Sequence, residues 1–303
     1  MTIADSIEGF KDYIATERRM AQGTIKNYIG DLQDLLAFVE PLGVSDVQEL
    51  TARDIRAWQL MHIELGETPG TVRRRMSSVG SWVRWLRSTM LLDTDLMARV
   101  VSPKLPKRKP VFFKVNELEH LYDRGVFGED FVGQRNALIL RMLYETGIRR
   151  SELVGLKESS VDLTALTVKV LGKRSKARIV PIEKEMAHNI SNYITLKRKT
   201  VSDTEWLFVT PKGRKITVDQ VYYVVKKYMV ILSHADRISP HVFRHSFATH
   251  ILGEGGNLMA IKDLLGHESL ATTEIYAHVT REQLKEVYRL AHPRGRTKSV
   301  KKV

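Results

Sequence analysis

The stretch NALILRMLYETGIRRSELVGL, residues 136–156, joins an apolar segment to a polar turn. Its first nine residues are mostly apolar, which predicts a helix buried inside a domain. Gly147 is placed to end that helix in the left-handed conformation, which glycine adopts without steric cost. Arg149 follows two residues later. The sequence therefore predicts a cation directly beyond the end of a buried helix.

Two β-rich runs, 166–171 and 177–182, follow this stretch, and the basic turn GKRSK separates them. This pattern predicts an antiparallel hairpin. Further helices are predicted at 217–234, 240–255 and 258–265, and from Thr272 onward. Residues 115–293 are therefore predicted to form an α+β domain, mainly helical with a small antiparallel sheet.

Residues 1–98 are predicted to form an all-α domain of four helices. The apolar residues between Ile25 and Val39 recur at three- and four-residue spacings, and Gly43 follows as a stop. Thr51 and Asp54 have the spacing of a capping box. Thr68 precedes Pro69, which is typical of an N-cap followed by proline at the first helical position.

The charge of the chain is concentrated in two short segments. The 303 residues carry 48 Lys and Arg against 35 Asp and Glu, a net charge of +13. Residues 1–98 hold 11 basic and 14 acidic side chains, whereas 99–114 hold six basic and no acidic ones, and 281–303 hold eight basic against two acidic. The run SPKLPKRKP, residues 102–110, contains three prolines, which exclude a regular helix. We interpret 99–114 as an interdomain linker; a merely solvated connector is the alternative.

Composition excludes several classes of protein. The chain has no cysteine, which excludes disulfides, a thiolate nucleophile and cysteine-ligated metals. It has no apolar run long enough to span a membrane and no signal peptide, so we expect a cytoplasmic, nucleoid-associated protein without membrane insertion. Because a strongly basic protein most often binds a polyanion, nucleic acid is the expected partner.

The unusual polar residues of the second domain could each have an ordinary structural role when taken singly. In chain order they are Arg149, Lys173, His241, Arg244, His267 and Tyr276. The four-residue spacing of His241 and His245 also suits a metal, but HExxH is absent and no carboxylate cluster completes a ligand set. No G-x-S-x-G elbow, P-loop or dinucleotide-binding pattern occurs. We therefore predict no metal and no cofactor.

A phosphodiester substrate accounts for these residues together. In-line attack on phosphorus builds negative charge on the non-bridging oxygens, and arginines can neutralise that charge where other enzymes use Mg²⁺. The fork of a guanidinium can bind two of these oxygens. A tyrosine nucleophile would store the energy of the broken bond in a covalent phosphotyrosine, so that rejoining needs no ATP.

Three motifs in this order closely resemble those of the tyrosine recombinase, or phage integrase, family, and most closely its Xer-type members. They are TGIRRSELVGL at 146–156, HVFRHSFATH at 241–250 and LLGHESLATTEIYAH at 264–278. The resemblance extends from about residue 10 to residue 293. It implies that Arg149, His241, Arg244 and His267 bind the scissile phosphate, that Tyr276 is the nucleophile and that Lys173 is the general acid. Glu152 and His245 match supporting positions of the motifs.

The same resemblance implies an architecture and a set of DNA contacts. A SAM-like core-binding domain, 1–98, and the catalytic domain, 115–293, would form a C-shaped clamp on the duplex. The implied DNA-binding residues are Thr24, Lys26, Asn27, Arg73, Arg74, Arg75, Lys104, Lys107, Arg108 and Lys109. The basic tail, 294–303, is predicted to be disordered.

Assembly and biological role follow from the resemblance as expectations. The apolar stripe Leu284, Val287 and Leu290 would dock a C-terminal helix into a neighbouring protomer, giving a homo- or hetero-tetramer on two DNA sites; packing onto its own chain is the alternative. A septal DNA translocase is a candidate further partner. Recombination through a Holliday junction, in chromosome dimer resolution, is the expected role. Alternatives are a mobile-element or phage integrase, a monomeric type IB-like topoisomerase, and a DNA-binding protein without catalysis.

Overall fold

The computed structural model describes residues 1–105, 111–123, 125–172, 177–201, 203–235, 238–255 and 258–266. The chain divides into two compact units, Met1–Arg108 and Lys109–Val303. The division falls within the predicted linker 99–114. Among the described residues, no helix is long and apolar enough to cross a membrane.

The first unit is built from four α-helices within residues 1–105. They are α1 (Ile3–Thr16), α2 (Gln22–Val39), α3 (Ala52–Glu64) and α4 (Pro69–Ser88). The predicted local signals are confirmed: Thr51 and Asp54 form a capping box, and Thr68 caps a helix that begins with Pro69. Gly43, with φ of +83°, closes the short 3₁₀ turn after α2. The apolar faces meet in one core around Trp58 and Trp82.

The second unit combines helices with a small antiparallel sheet. Its described elements are α5 (Val115–Glu119), α6 (Phe131–Thr146), α7 (Arg150–Val154), β1 (Val161–Asp162), β2 (Thr167–Leu171), β3 (Ala177–Pro181), α8 (Lys184–Thr200), α9 (Val218–Leu232), α10 (Pro240–Gly253) and α11 (Leu258–Leu265). The sheet order is β1-β2-β3, with Lys169 opposite Ile179. The predicted fold class, mainly α with a small antiparallel sheet, is confirmed.

Several details differ from the sequence predictions. Leu166 is not in a strand, because its φ of +53° places it in the turn before β2. The predicted helices over 217–234 and 240–255 end earlier, at Leu232 and Gly253. Strand β1 and helix α8 were not predicted. The helix predicted from Thr272, the C-terminal helix and the tail 294–303 lie outside the described residues.

Helix α6 is the centre of the second unit, and it positions the candidate site. It packs against α8 and α10, which explains why the segment is apolar on nearly every face. A second small cluster, formed by Phe247 and Ile251 of α10 with Ile261, Leu264 and Leu265, attaches α11 to α10. The ends of α6 and α11 therefore meet beside the same face of α10.

Candidate active site

Gly147 ends α6 in the left-handed conformation, with φ of +59°. A Cβ atom at this position would lie 2.6 Å from Cδ1 of Phe247 and 2.7 Å from Cδ2 of Leu265. Glycine is therefore required here for backbone conformation and for packing. Two residues after Gly147, Arg149 is the N-cap residue of α7 and has an extended backbone.

Arg149 and Glu152 form a capping box at the start of α7. The Arg149 N–H donates to Oε2 of Glu152 at 2.8 Å, and Nη1 of Arg149 donates to Oε1 at 2.9 Å. Glu152 is buried, whereas the side chain of Arg149 is 37% exposed. The carboxylate thus orients an arginine whose guanidinium still reaches solvent, where a ligand could bind it.

A second arginine, Arg178, also binds the carboxylate of Glu152. Arg178 of β3 donates from Nη1 to Oε1 of Glu152 at 2.9 Å and from Nη2 to Oε2 at 2.8 Å. Burial on its own would raise the pKa of Glu152, but the hydrogen bonds from Arg178 and Arg149 outweigh it, and the pKa lies below its usual value. Glu152 is therefore ionised at neutral pH.

Arg244 lies inside the unit, on α10. Its Nη1 donates to the carbonyl oxygen of Gly147 at 2.8 Å, and its Nη2 donates to that of Leu265 at 2.6 Å. Burial, together with the positive charges of Arg149 and Arg178, lowers the pKa of Arg244 to about 10. The guanidinium nevertheless remains protonated at neutral pH, so a buried positive charge is kept at the site.

The three arginines converge on the C-terminal end of α11. Three successive carbonyl oxygens accept one bond each: Leu264 from Nε of Arg178 at 2.8 Å, Leu265 from Arg244 and Gly266 from Nη2 of Arg149 at 3.3 Å. These carbonyls lack helical partners and lie at the negative end of the helix dipole, so cations are favoured there. Three guanidinium groups against the single carboxylate of Glu152 leave this described cluster positively charged, which suits an anionic ligand.

The histidines of α10 differ from Arg244 in burial. His241 and His245 are both exposed, and His241 precedes Arg244 by three residues, which puts the two side chains on neighbouring parts of one helix face. The ring of His245 lies 6.4 Å from that of Phe112, measured between centroids. Among the described residues, no group of three or more His, Asp or Glu is gathered to hold a metal. Lys173, His267 and Tyr276 lie outside the described residues.

The predicted DNA-binding residues that the structure describes fall into two groups. Lys26 and Asn27 of α2 and Arg73 of α4 are exposed, and Thr24 is half-buried. Lys104 is exposed, while Lys107, Arg108 and Lys109 lie outside the described residues. Arg74 and Arg75, in contrast, make ion pairs within the unit.

Asp31 of α2 is the buried acceptor of those ion pairs. Arg74 binds both of its carboxylate oxygens, Nη1 of Arg75 donates to Oδ1 at 3.2 Å, and the hydroxyl of Ser78 donates to Oδ2 at 2.7 Å. Arg75 also makes a two-fold bond to Glu67, at 2.9 and 2.8 Å. Arg73 is therefore the member of the arginine run whose side chain points away from this network into solvent.

Sequence reasoning missed Arg178 and Asp31. Arg178 follows a basic turn and lies in a strand between the exposed residues Ala177 and Ile179, so in sequence it resembles a solvated cation. Its partner Glu152 lies 26 residues away, beyond any local pattern. Asp31 lies between the apolar residues Ile29 and Leu32 of α2, and this position in the sequence could have indicated that its carboxylate is buried.

Both units of the chain match families of known proteins. Residues 113–283 match the phage integrase family, and residues 7–89 match the N-terminal SAM-like domain of phage integrases. The chain is 35% identical to the tyrosine recombinase XerC of Corynebacterium efficiens, with 96% of this chain and 92% of that protein covered. It is 33% identical to XerC of Bacillus licheniformis, with 94% and 95% covered.

Solved structures show the same fold at lower identity. A lambda integrase fragment, solved as a dimer bound to a core site, matches with a TM-score of 0.69 at 15% identity and covers 92% of this chain and 100% of its own. The Tn1549 transposon integrase, solved with transposon right-end DNA, gives a TM-score of 0.69 at 21% identity, with 96% and 100% covered.

The family and relative matches identify a tyrosine recombinase, an enzyme that recombines DNA at specific sites. The chain belongs to the phage integrase family.

Proposed function

We propose that this recombinase cuts and rejoins DNA through a covalent 3′-phosphotyrosine at Tyr276. The hydroxyl of Tyr276 loses its proton to water and its oxygen attacks the scissile phosphorus. The bond from phosphorus to the 5′ oxygen breaks, and Lys173 gives the leaving oxygen a proton. Attack by a 5′ hydroxyl on the phosphotyrosine reverses these steps and rejoins the strand without ATP.

The observation that carries the proposal is the convergence of Arg149 and Arg244. They lie 95 positions apart in the chain, yet each bonds one of two successive carbonyls, Gly266 and Leu265. His267 is the next residue of the chain and Tyr276 follows nine residues later. Arg149, Arg244, His241 and His267 would stabilise the charge that develops on the phosphate oxygens.

We further propose that recombination proceeds through a Holliday junction and resolves chromosome dimers, with the protein acting in the cytoplasm at the nucleoid. The names of the XerC relatives support this role. The active assembly would be a homo- or hetero-tetramer joined through the C-terminal helix, with a septal DNA translocase as a candidate activator. Lys26, Asn27, Arg73 and Lys104 are exposed and available for DNA.

The test begins with covalent adducts. Mapping protein–DNA adducts across the genome of the source organism identifies the target site and shows whether it is chromosomal or carried by a mobile element. A nicked suicide duplex of that site should then trap an adduct that resists boiling in detergent. Chelator should not reduce its yield, since protein cations neutralise the phosphate.

Tyr276→Phe is the matched control, because it removes one hydroxyl and retains the ring. Equal adduct formation by Tyr276→Phe would contradict the assignment of the nucleophile. A topoisomerase would instead relax supercoiled plasmid that lacks the mapped site. Relaxation of such a plasmid at the rate seen with the site present would contradict site-specific recombination.

A further inference from the structure

We propose that Arg178 is a positioning residue of the active site, which acts on the phosphate-binding Arg149 through the buried carboxylate of Glu152. This inference rests on the proposed role of Arg149. All three donor nitrogens of the Arg178 guanidinium are used: Nη1 and Nη2 bind Glu152 at 2.9 and 2.8 Å, and Nε binds the carbonyl of Leu264 at 2.8 Å. With 13% of its side chain exposed, Arg178 is itself shielded from DNA.

Glu152 needs a second cation if it is to orient Arg149 without binding all of the donor groups of that arginine. Glu152 is 7% exposed, and an unpaired carboxylate so deeply buried would be costly. If Arg149 alone neutralised it, the guanidinium of Arg149 would turn fully toward the carboxylate. Because Arg178 takes one bond on each carboxylate oxygen, Arg149 donates only Nη1 and its backbone N–H to Glu152. Among the described residues, Nη2 of Arg149 bonds the carbonyl of Gly266 at 3.3 Å. The guanidinium is 37% exposed, and its remaining N–H groups can bind a phosphate.

Arg178 also connects two parts of the chain that carry proposed catalytic residues. It lies five positions after Lys173 on the same hairpin, and it bonds the carbonyl of Leu264, three positions before His267. The close fit extends to Gly266, where a Cβ atom would lie 3.3 Å from both Cδ and Nη1 of Arg178. The side chain of Arg178 therefore links β3 to the start of α7 and to the end of α11.

Arginine suits this role better than lysine, because a planar fork can bind both oxygens of a carboxylate while Nε binds a third acceptor. Lysine would keep the positive charge but not this geometry. The two properties can therefore be separated by substitution.

The experiment measures the single-turnover rate of adduct formation on the suicide duplex at saturating protein, together with Kd for that duplex and the thermal midpoint. We expect Arg178→Gln to slow adduct formation about 100-fold, as misplacement of a catalytic group does, while Kd changes less than about threefold. Arg178→Lys should recover part of the rate, because the charge on Glu152 is again compensated. Lys169→Gln, which removes a charge from an exposed position on the same hairpin, should keep the wild-type rate.

Two further readouts separate positioning from simple stability. In the Glu152→Gln background the added Arg178→Gln change should slow adduct formation less than it does in the wild type. No carboxylate is left to neutralise, and the change removes the bond to Leu264. Acidification from neutral pH to about pH 5 should slow Arg178→Gln more than the wild type. Of the cations that the structure describes around Glu152, Arg149 and Arg244 then remain, so the carboxylate takes up a proton more readily.

A wild-type rate in Arg178→Gln would overturn the inference. So would a full, independent loss in the Glu152→Gln background. Should Arg178→Gln fail to fold, Arg178→Lys decides: a wild-type rate with a wild-type thermal midpoint rejects the role. Failure of the proposed function can be distinguished from failure of the role of Arg178 alone. In the first case the wild-type protein itself would form no adduct that depends on Tyr276, and both proposals would be wrong.

Discussion

Nη1 of Arg244 donates to the carbonyl oxygen of Gly147 at 2.8 Å, so that a buried cation of α10 is bonded to the left-handed residue that ends α6. The same arginine bonds Leu265 at the end of α11. Arg244 thus joins the ends of two helices, and its positive charge is buried beside them. Small changes in this backbone should therefore affect catalysis as well as stability.

Gly147→Ala should reduce both stability and cleavage. A left-handed backbone costs a non-glycine residue about 1–2 kcal/mol, and the overlap with Phe247 and Leu265 adds about 1–3 kcal/mol. Urea unfolding should show a loss of at least about 2 kcal/mol, and the adduct rate should fall. Gly253→Ala is the control, because nothing lies within 4 Å of a Cβ atom there. Equal stability of the two variants would contradict the packing argument.

Arg149→Gln should slow adduct formation by about 10²- to 10³-fold at saturating protein, as removal of a transition-state donor does. Arg150→Gln removes the same charge from the next position and should have a much smaller effect. Single-turnover kinetics on the suicide duplex measures both. Similar rates in the two variants would show that general charge, and not the placement of Arg149, drives the reaction.

Arg73→Gln and Arg75→Gln should act on different properties. Arg73 is exposed, so its loss should reduce the slope of log K against log salt by about 0.9, with no change in stability. Arg75 binds Asp31 and Glu67, so its loss should destabilise the first unit by about 1–3 kcal/mol. Salt titrations of DNA binding and urea unfolding of the full chain make the comparison. An unchanged salt slope in Arg73→Gln would remove Arg73 from the DNA-binding set.

The first unit should lose stability in acid through Glu67. Hydrogen bonds from Arg75 outweigh burial and hold the pKa of Glu67 below its ordinary value of 4.5. The unfolded chain therefore takes up this proton first, and the stabilisation is present above pH 4.5 and is lost as the pH falls through the lower folded value. Thermal unfolding at several pH values should show a shallower acid decline in Glu67→Gln than in the wild type. Parallel declines would contradict this role for Glu67.

Local signals in the sequence predicted most of the helices of the first unit and the turn that carries Arg149. The Thr51 capping box, the Thr68-Pro69 start and the Gly147 stop each depend on residues a few positions apart, so they can be read without tertiary structure. Helix α8 was missed although Met186, Ile190 and Tyr193 have helical spacing and its last turn is basic, which is typical of a helix end.

The sequence by itself determined the family, the order of the motifs and the proposed catalytic residues, since these are carried by short runs of neighbouring residues. Tertiary structure decided which charges are free and which are paired. Arg74 and Arg178 resemble solvated cations in sequence, yet each is bonded to a buried carboxylate, Asp31 or Glu152. The physical reason is that burial and ion pairing depend on contacts between distant segments, and a local pattern of residues contains no record of them.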